Sequence, residues 1–129
     1  MNILCIDPGT AHTGIAITND GVLAEPLDTI FERDIDKLVG KLTPFIARLN
    51  PKKIVIGQPD HGPLLVYAKE LKEKISKIYN GEIILFAEDL SSRTAQIKMK
   101  EAGKKYAERK QKEHQTAAAL ILQDYLEQI

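Results

Sequence analysis

The chain holds one cysteine and no tryptophan in 129 residues, and neither sign of charge prevails, with 18 Lys and Arg against 18 Asp and Glu. A single cysteine excludes an internal disulfide framework and any zinc cluster built on paired cysteines. Long apolar runs are also missing. The stretch Ala117 to Leu122 falls far short of the roughly 20 residues that cross a bilayer, so no membrane span is expected. The opening, Met1-Asn2-Ile3-Leu4-Cys5-Ile6-Asp7, lacks the basic flank and cleavage site of a secretory leader, which assigns it to the fold and makes the cytoplasm the expected compartment. What is present is ordinary in amount: 43% hydrophobic and 28% charged residues exclude disordered and collagen-like states. The length predicts one domain spanning residues 1–129.

The zero net charge hides a split. Between Arg93 and Lys112 lie Arg93, Lys98, Lys100, Lys104, Lys105, Arg109, Lys110 and Lys112 against only Glu101 and Glu108, so this stretch carries +6 and the remainder −6. An excess of that size either contacts a phosphate backbone, each neutralised phosphate adding salt-dependent affinity, or forms a solvated face.

Asn2 to Asp7 is a short apolar run closed by Pro8-Gly9, and it reads as a buried strand. Thr13 to Thr18 is a second strand, and Asn19-Asp20-Gly21 signals a tight hairpin into a third strand, Val22 to Phe31. Pro26 cannot donate to a ladder, which places that strand at a sheet edge. From Asp34 to Leu49 the apolar period changes to three or four, predicting an amphipathic helix with Pro44 as a potential kink. Asn50-Pro51 ends it. Lys53 to Gly57 is a strand suited to burial on both faces, Leu64 to Tyr79 a second helix stopped by Asn80-Gly81, and Glu82 to Ala87 the fifth strand. A helix capped by Ser91 or Ser92 is expected to run to about Ala102. Gly103 to Lys112 reads as a mobile or partly helical basic segment, and Gln115 to Leu126 as the closing helix. The order predicts an α/β layered domain on a mixed sheet.

Asp7 ends the first strand beside Gly9, and Glu88 and Asp89 end the fifth. In an open α/β sheet the carboxyl ends of parallel strands border one crevice, and at about 4.8 Å per strand step a Glu side chain reaches toward the first strand. Crowded carboxylates resist ionisation unless a divalent cation joins them, so the cluster reads as a magnesium site. Asp7 can equally be a turn-forming residue before Pro-Gly. Cys5 reads as core packing, and His12 and His61 as loop residues in solvent. Tyr106 is the one aromatic in the basic stretch and can stack on a base.

Ile3 to Ala16, reading Ile-Leu-Cys-Ile-Asp-Pro-Gly-Thr-Ala-His-Thr-Gly-Ile-Ala, resembles the opening of the YqgF family, small proteins similar to the Holliday-junction resolvase RuvC and regarded as pre-16S rRNA nucleases. Ala24-Glu25-Pro26-Leu27 with Ile30, Ile54-Val55-Ile56-Gly57-Gln58-Pro59, Glu88-Asp89-Leu90-Ser91-Ser92 and the ending Ala117 to Leu126 continue the likeness over nearly the whole chain. The resemblance implies a ribonuclease H-like three-layer fold with a five-stranded mixed sheet in the order 3-2-1-4-5, flanked by helices. It further implies a metal-dependent endonuclease that hydrolyses phosphodiester bonds in structured RNA, in pre-16S rRNA 5′-end processing. Magnesium is the implied cofactor and manganese the alternative. On the same footing, Asp7 is the bridging ligand, Glu88 the second, and His114, preceded by Glu113, stands where the family usually has an Asp. Arg93, Lys98, Lys104, Lys105, Arg109 and Lys110 are the expected nucleic-acid contacts.

Two further departures flank the expected cleft: Asp60-His61-Gly62 is shorter than the family's usual loop, and Asp89 stands where an Arg usually follows Glu88. Junction resolvases carry an acid on the fourth strand, where this chain has Gly57, so branched DNA is less favoured as substrate than pre-rRNA. A binding module that has lost part of its metal site is the alternative to an enzyme. Asp7-Pro8-Gly9-Thr10 with Gly14 also looks like the phosphate hairpin of the actin and sugar-kinase superfamily. That group closes two such domains around a nucleotide, so no nucleotide cofactor is expected here.

Overall fold

The computed structural model describes residues 2–59, 62–87 and 106–129, with side chains from 112 onward in the last segment. The strands are β1 (Ile3–Asp7), β2 (His12–Thr18), β3 (Glu25–Phe31), β4 (Lys53–Gln58) and β5 (Glu82–Ala87), and the helices are α1 (Ile35–Leu49), α2 (Pro63–Ser76) and α3 (Tyr106–Gln128). They form one five-stranded sheet in the order β3-β2-β1-β4-β5, the arrangement the resemblance implies. β1 runs antiparallel to β2 and parallel to β4, and β4 is parallel to β5. The all-apolar cores of β1 and β4 are explained by this position, since central strands bury both faces.

Side chains alternate across the sheet and so build two cores. Leu4, Ile6, Ile15, Ile30, Ile54 and Ile56 face one way and pack with Leu38, Leu42 and Ile46 of α1 and Ala68, Leu71 and Ile75 of α2. Ile3, Cys5, Ala16 and Val55 face the other way and pack with Ala118, Ala119, Ile121, Leu122 and Tyr125 of α3. Ile121 and Leu122 are wholly buried, each contributing about 1.5–3 kcal/mol of transfer free energy. The small Ala117, Ala118 and Ala119 let the helix axis approach the strands closely.

Local chemistry sets the boundaries. The Asp34 carboxylate accepts from the Lys37 N–H at 2.9 Å and caps α1. Asn50 ends it in the left-handed conformation, φ 44°, donating its N–H to the Ile46 carbonyl. The helix continues through the exposed Pro44.

Three expectations are corrected. Asn19-Asp20-Gly21 is not a two-residue hairpin turn. Asp20 Oδ1 accepts from the N–H groups of Val22 and Leu23 at 2.8 and 3.1 Å, which widens the loop and delays β3 to Glu25. These bonds, Val22 first, hold the Asp20 carboxyl below its ordinary pKa. At its far end the loop is gripped by the Gln123 amide, which accepts from Ala24 N at 2.9 Å and donates to Val22 O at 2.9 Å. Second, α2 ends at Ser76 rather than Tyr79: Ile78 is exposed, and Tyr79 leaves the helix to donate its hydroxyl to the Pro51 carbonyl at 2.7 Å. Third, the closing helix begins at Tyr106, nine residues before Gln115; the described part of the basic segment is helical, one of the two states expected of it. Pro26 does sit on the edge strand, beside an irregularity where Ile15 pairs with Asp28 and Ala16 with Pro26. Among the described residues, no helix is long and apolar enough to cross a membrane.

Candidate active site

Asp7 closes β1 and is 6% exposed, one of three buried polar residues among those described. Its neighbours are fixed by register. Asp7 pairs with Gly14 of β2, and Gly14 with Thr29 of β3. On the other side, the position one step past the Ile6–Ile56 pair is Gly57, which pairs with Phe86 of β5. By alternation this whole row faces α3, since Cys5, Ala16, Val55 and Ile84 do so two residues earlier. The strand-end carboxylate is thus flanked on both sides by residues without side chains.

The glycine on the β2 side is filled by helix. A Cβ built on Gly14 would lie inside the contact distance of the His114 carbonyl and 2.9 Å from Gln115 N, so the backbone of α3 rests directly on β2 at this point. Gln115 Oε1 accepts from the Thr29 hydroxyl at 3.3 Å in the same row. His114 is therefore mid-helix and partly buried, not a solvent-facing helix-start residue. Its ring stacks on His12, centroids 4.9 Å apart and planes within 5°. His12 in turn meets Phe31 edge-on at 5.1 Å. His12 is solvent-exposed as expected but stands at the start of β2 rather than in a loop; 102 positions separate the two histidines, and no local pattern announces their meeting.

Of the three expected ligands, Asp7 and the backbone at His114 thus meet through one intervening glycine, and Glu88 lies outside the described residues. A buried carboxylate is a hard oxygen donor suited to magnesium. The stack occupies the face of the His114 imidazole, whereas a metal bond to nitrogen runs in the ring plane, so stacking and ligation are compatible. Among the described residues, no three His, Cys, Asp or Glu form a group able to hold a metal ion, so Asp7 and His114 alone do not complete a coordination shell. Arg93, Lys98, Lys104, Lys105, Asp89 and His61 also lie outside the described residues, and at Arg109 and Lys110 the structure describes only a helical backbone.

That backbone is informative. His114 sits over the Asp7 row, so residues 106–113 carry the helix about 12 Å further at 1.5 Å per residue. The part of the basic stretch that is described leads away from the candidate site.

A mixed sheet in this order with helices on both faces is a ribonuclease H-like fold, and the buried Asp7 carboxylate stands at the end of its central strand. Solved structures agree on the fold. RuvC of T. thermophilus, in complex with a Holliday junction substrate, superposes with a TM-score of 0.64 at 16% identity over 98% of this chain and 94% of that one. The fowlpox virus Holliday junction resolvase gives 0.62 at 15% identity over the full length of both. A protein-family model described as "RuvX: Holliday junction resolvase" matches residues 1–128, and the chain belongs to that family. A "Putative pre-16S rRNA nuclease" of Ruminiclostridium cellulolyticum is 35% identical over 100% of this chain and 96% of its own length. One of the same name from Bacillus cytotoxicus is 31% identical over 98% of each.

Proposed function

We propose that the chain is a metal-dependent endonuclease acting on structured RNA in the 5′-end maturation of pre-16S rRNA, in the cytoplasm. The observation that supports this most directly is the buried Asp7 carboxylate in its row between Gly14 and Gly57, in a chain whose relatives carry the name "Putative pre-16S rRNA nuclease". Asp7, Glu88 and His114 are the proposed metal ligands. Glu88 follows β5 two residues after Phe86, the β5 member of the Asp7 row. A divalent cation, when bound, supplies Lewis-acid polarisation of the phosphodiester and a nucleophilic water at neutral pH. An imidazole in place of an acid suits manganese better than magnesium. Asp7 would hold the cation from the end of the central strand. Arg93, Lys98, Lys104, Lys105, Arg109 and Lys110 are proposed to neutralise phosphates along the substrate.

A four-way DNA junction is the less favoured substrate, because Gly57 stands level with Asp7 on β4 where junction resolvases carry an acid. The decisive experiment is Asp7→Asn. Metal-dependent cleavage of a structured pre-rRNA fragment is expected to vanish while binding is kept. Undiminished cleavage in that variant would overturn the assignment, and a wild-type chain that binds without cleaving under magnesium or manganese would favour a binding module.

A further inference from the structure

We infer that the chain holds an unpaired RNA base on the exposed ring of Phe31, beside the Asp7 row; the inference rests on the nuclease reading above and deepens it. Four planar groups, one each from α3, β2 and β3 and one from the segment after β3, follow one another on this side of the sheet. His114 of α3 stacks on His12 of β2 at 4.9 Å, His12 meets Phe31 of β3 edge-on at 5.1 Å, and the Arg33 guanidinium lies over the Phe31 ring at 5.4 Å. Register explains the placement. His12 pairs with Phe31, and both lie one alternate position, about 7 Å, beyond the Gly14–Thr29 pair of the Asp7 row. Ile30 packs on the α1 and α2 side, so Phe31 points to the α3 side, the side of the candidate site.

Phe31 is 56% exposed, so ring surface stays available to a ligand beside the Arg33 guanidinium. The surroundings favour an anionic partner with a π-face. Arg33 makes no ion pair among the described residues, while the nearby Glu32 is engaged by Lys41 at 2.9 Å and Asp34 is occupied in capping α1. An aromatic ring joined to an unpaired guanidinium offers stacking to a base and charge to its phosphate. A base inside a duplex is stacked on its neighbours and cannot use the ring, so this surface selects RNA with a single-stranded segment next to the scissile region.

The test compares a fluorescein-labelled RNA hairpin bearing a short 5′ single-stranded extension with the same hairpin made blunt, by anisotropy in EDTA to block cleavage. Wild type is expected to prefer the extended hairpin. Phe31→Ala should weaken binding of the extended hairpin about tenfold, leave the blunt one unchanged, and leave the salt dependence unaltered, since the lost contact carries no charge. Phe31→Trp should keep the preference, and Arg33→Gln should reduce the salt slope by about 1. Equal binding of the extended hairpin by wild type and Phe31→Ala overturns the inference and leaves the nuclease reading standing. An equal loss on both hairpins likewise overturns it. If wild type binds neither hairpin, the RNA-nuclease reading falls and takes this inference with it.

Discussion

Substituting Gly14 by alanine tests the contact that positions the candidate site. The added methyl would sit within the contact distance of the His114 carbonyl and 2.9 Å from Gln115 N. Both are backbone atoms in the middle of a 23-residue helix and cannot rotate away as a side chain would. The carbonyl must retreat by more than ~1 Å to reach ordinary van der Waals separation, which loosens Ala117, Ala118, Ile121 and Leu122 against the sheet. Overpacking of a tight core costs about 1–3 kcal/mol, and an immovable neighbour argues for the upper end. Against this stands a gain of about 0.4–1 kcal/mol from the stiffer unfolded chain. A net loss near 2 kcal/mol lowers the melting temperature by roughly 6–10 °C at this size. Urea and thermal unfolding followed by far-UV circular dichroism measure it, and the His12 and His114 ring proton resonances report whether the stack moves. Gly40→Ala in α1 is the control: its Cβ would meet nothing within 4 Å, so gains in helix propensity and chain entropy should raise stability by about 0.5–1 kcal/mol. A Gly14→Ala chain with wild-type melting and unshifted histidine resonances would refute the claim that α3 rests on β2 there.

Other outcomes are expected. Tyr79→Phe removes the bond to the Pro51 carbonyl and should cost about 1 kcal/mol in urea unfolding. Burial, with Glu82 adding to it, raises the Tyr79 phenol pKa, so the unfolded chain ionises first and wild-type stability declines above pH ~10; the Phe variant should decline less steeply. Asp20→Asn should lower the melting temperature at neutral pH, because the native Asp20 carboxyl is held below its ordinary value. That stabilisation is complete above the unfolded pKa of ~3.9 and is lost as pH falls through the native one, so a wild-type advantage undiminished in strong acid would contradict the assignment. Replacing Lys104, Lys105, Arg109 and Lys110 by Gln should flatten the salt dependence of RNA binding by about 0.7–0.9 for each residue that touches phosphate; an unchanged slope would dismiss the segment as a binding surface.

Where sequence and structure agree, the signal was local and strong. The apolar runs at Ile3–Ile6 and Ile54–Ile56, the edge position of Pro26, and the capped α1 between Asp34 and Asn50 are all written in neighbouring residues. The disagreements arise where a side chain outbids the local pattern. Asp20 captures two N–H groups and widens a loop that Asn-Asp-Gly would otherwise tighten. Residues 106–112, whose sparse apolar periodicity supports no more than a mobile or partly helical reading, extend a docked helix, and Ala, Glu, Arg, Lys and Gln propagate helix readily once it is nucleated. In the site, Asp7 was legible from its place before Pro8-Gly9. The stack of His12 on His114 and the seat of α3 on Gly14 were not, because they join residues about a hundred positions apart through register alone.

The helix that covers Ile3, Cys5, Ala16 and Val55 is synthesised after all five strands. The face of the sheet that it covers is bare whenever this helix is undocked. Cys5, fully enclosed in the native protein, becomes reachable by a thiol reagent when that helix lifts, so its alkylation rate reports how often the helix opens.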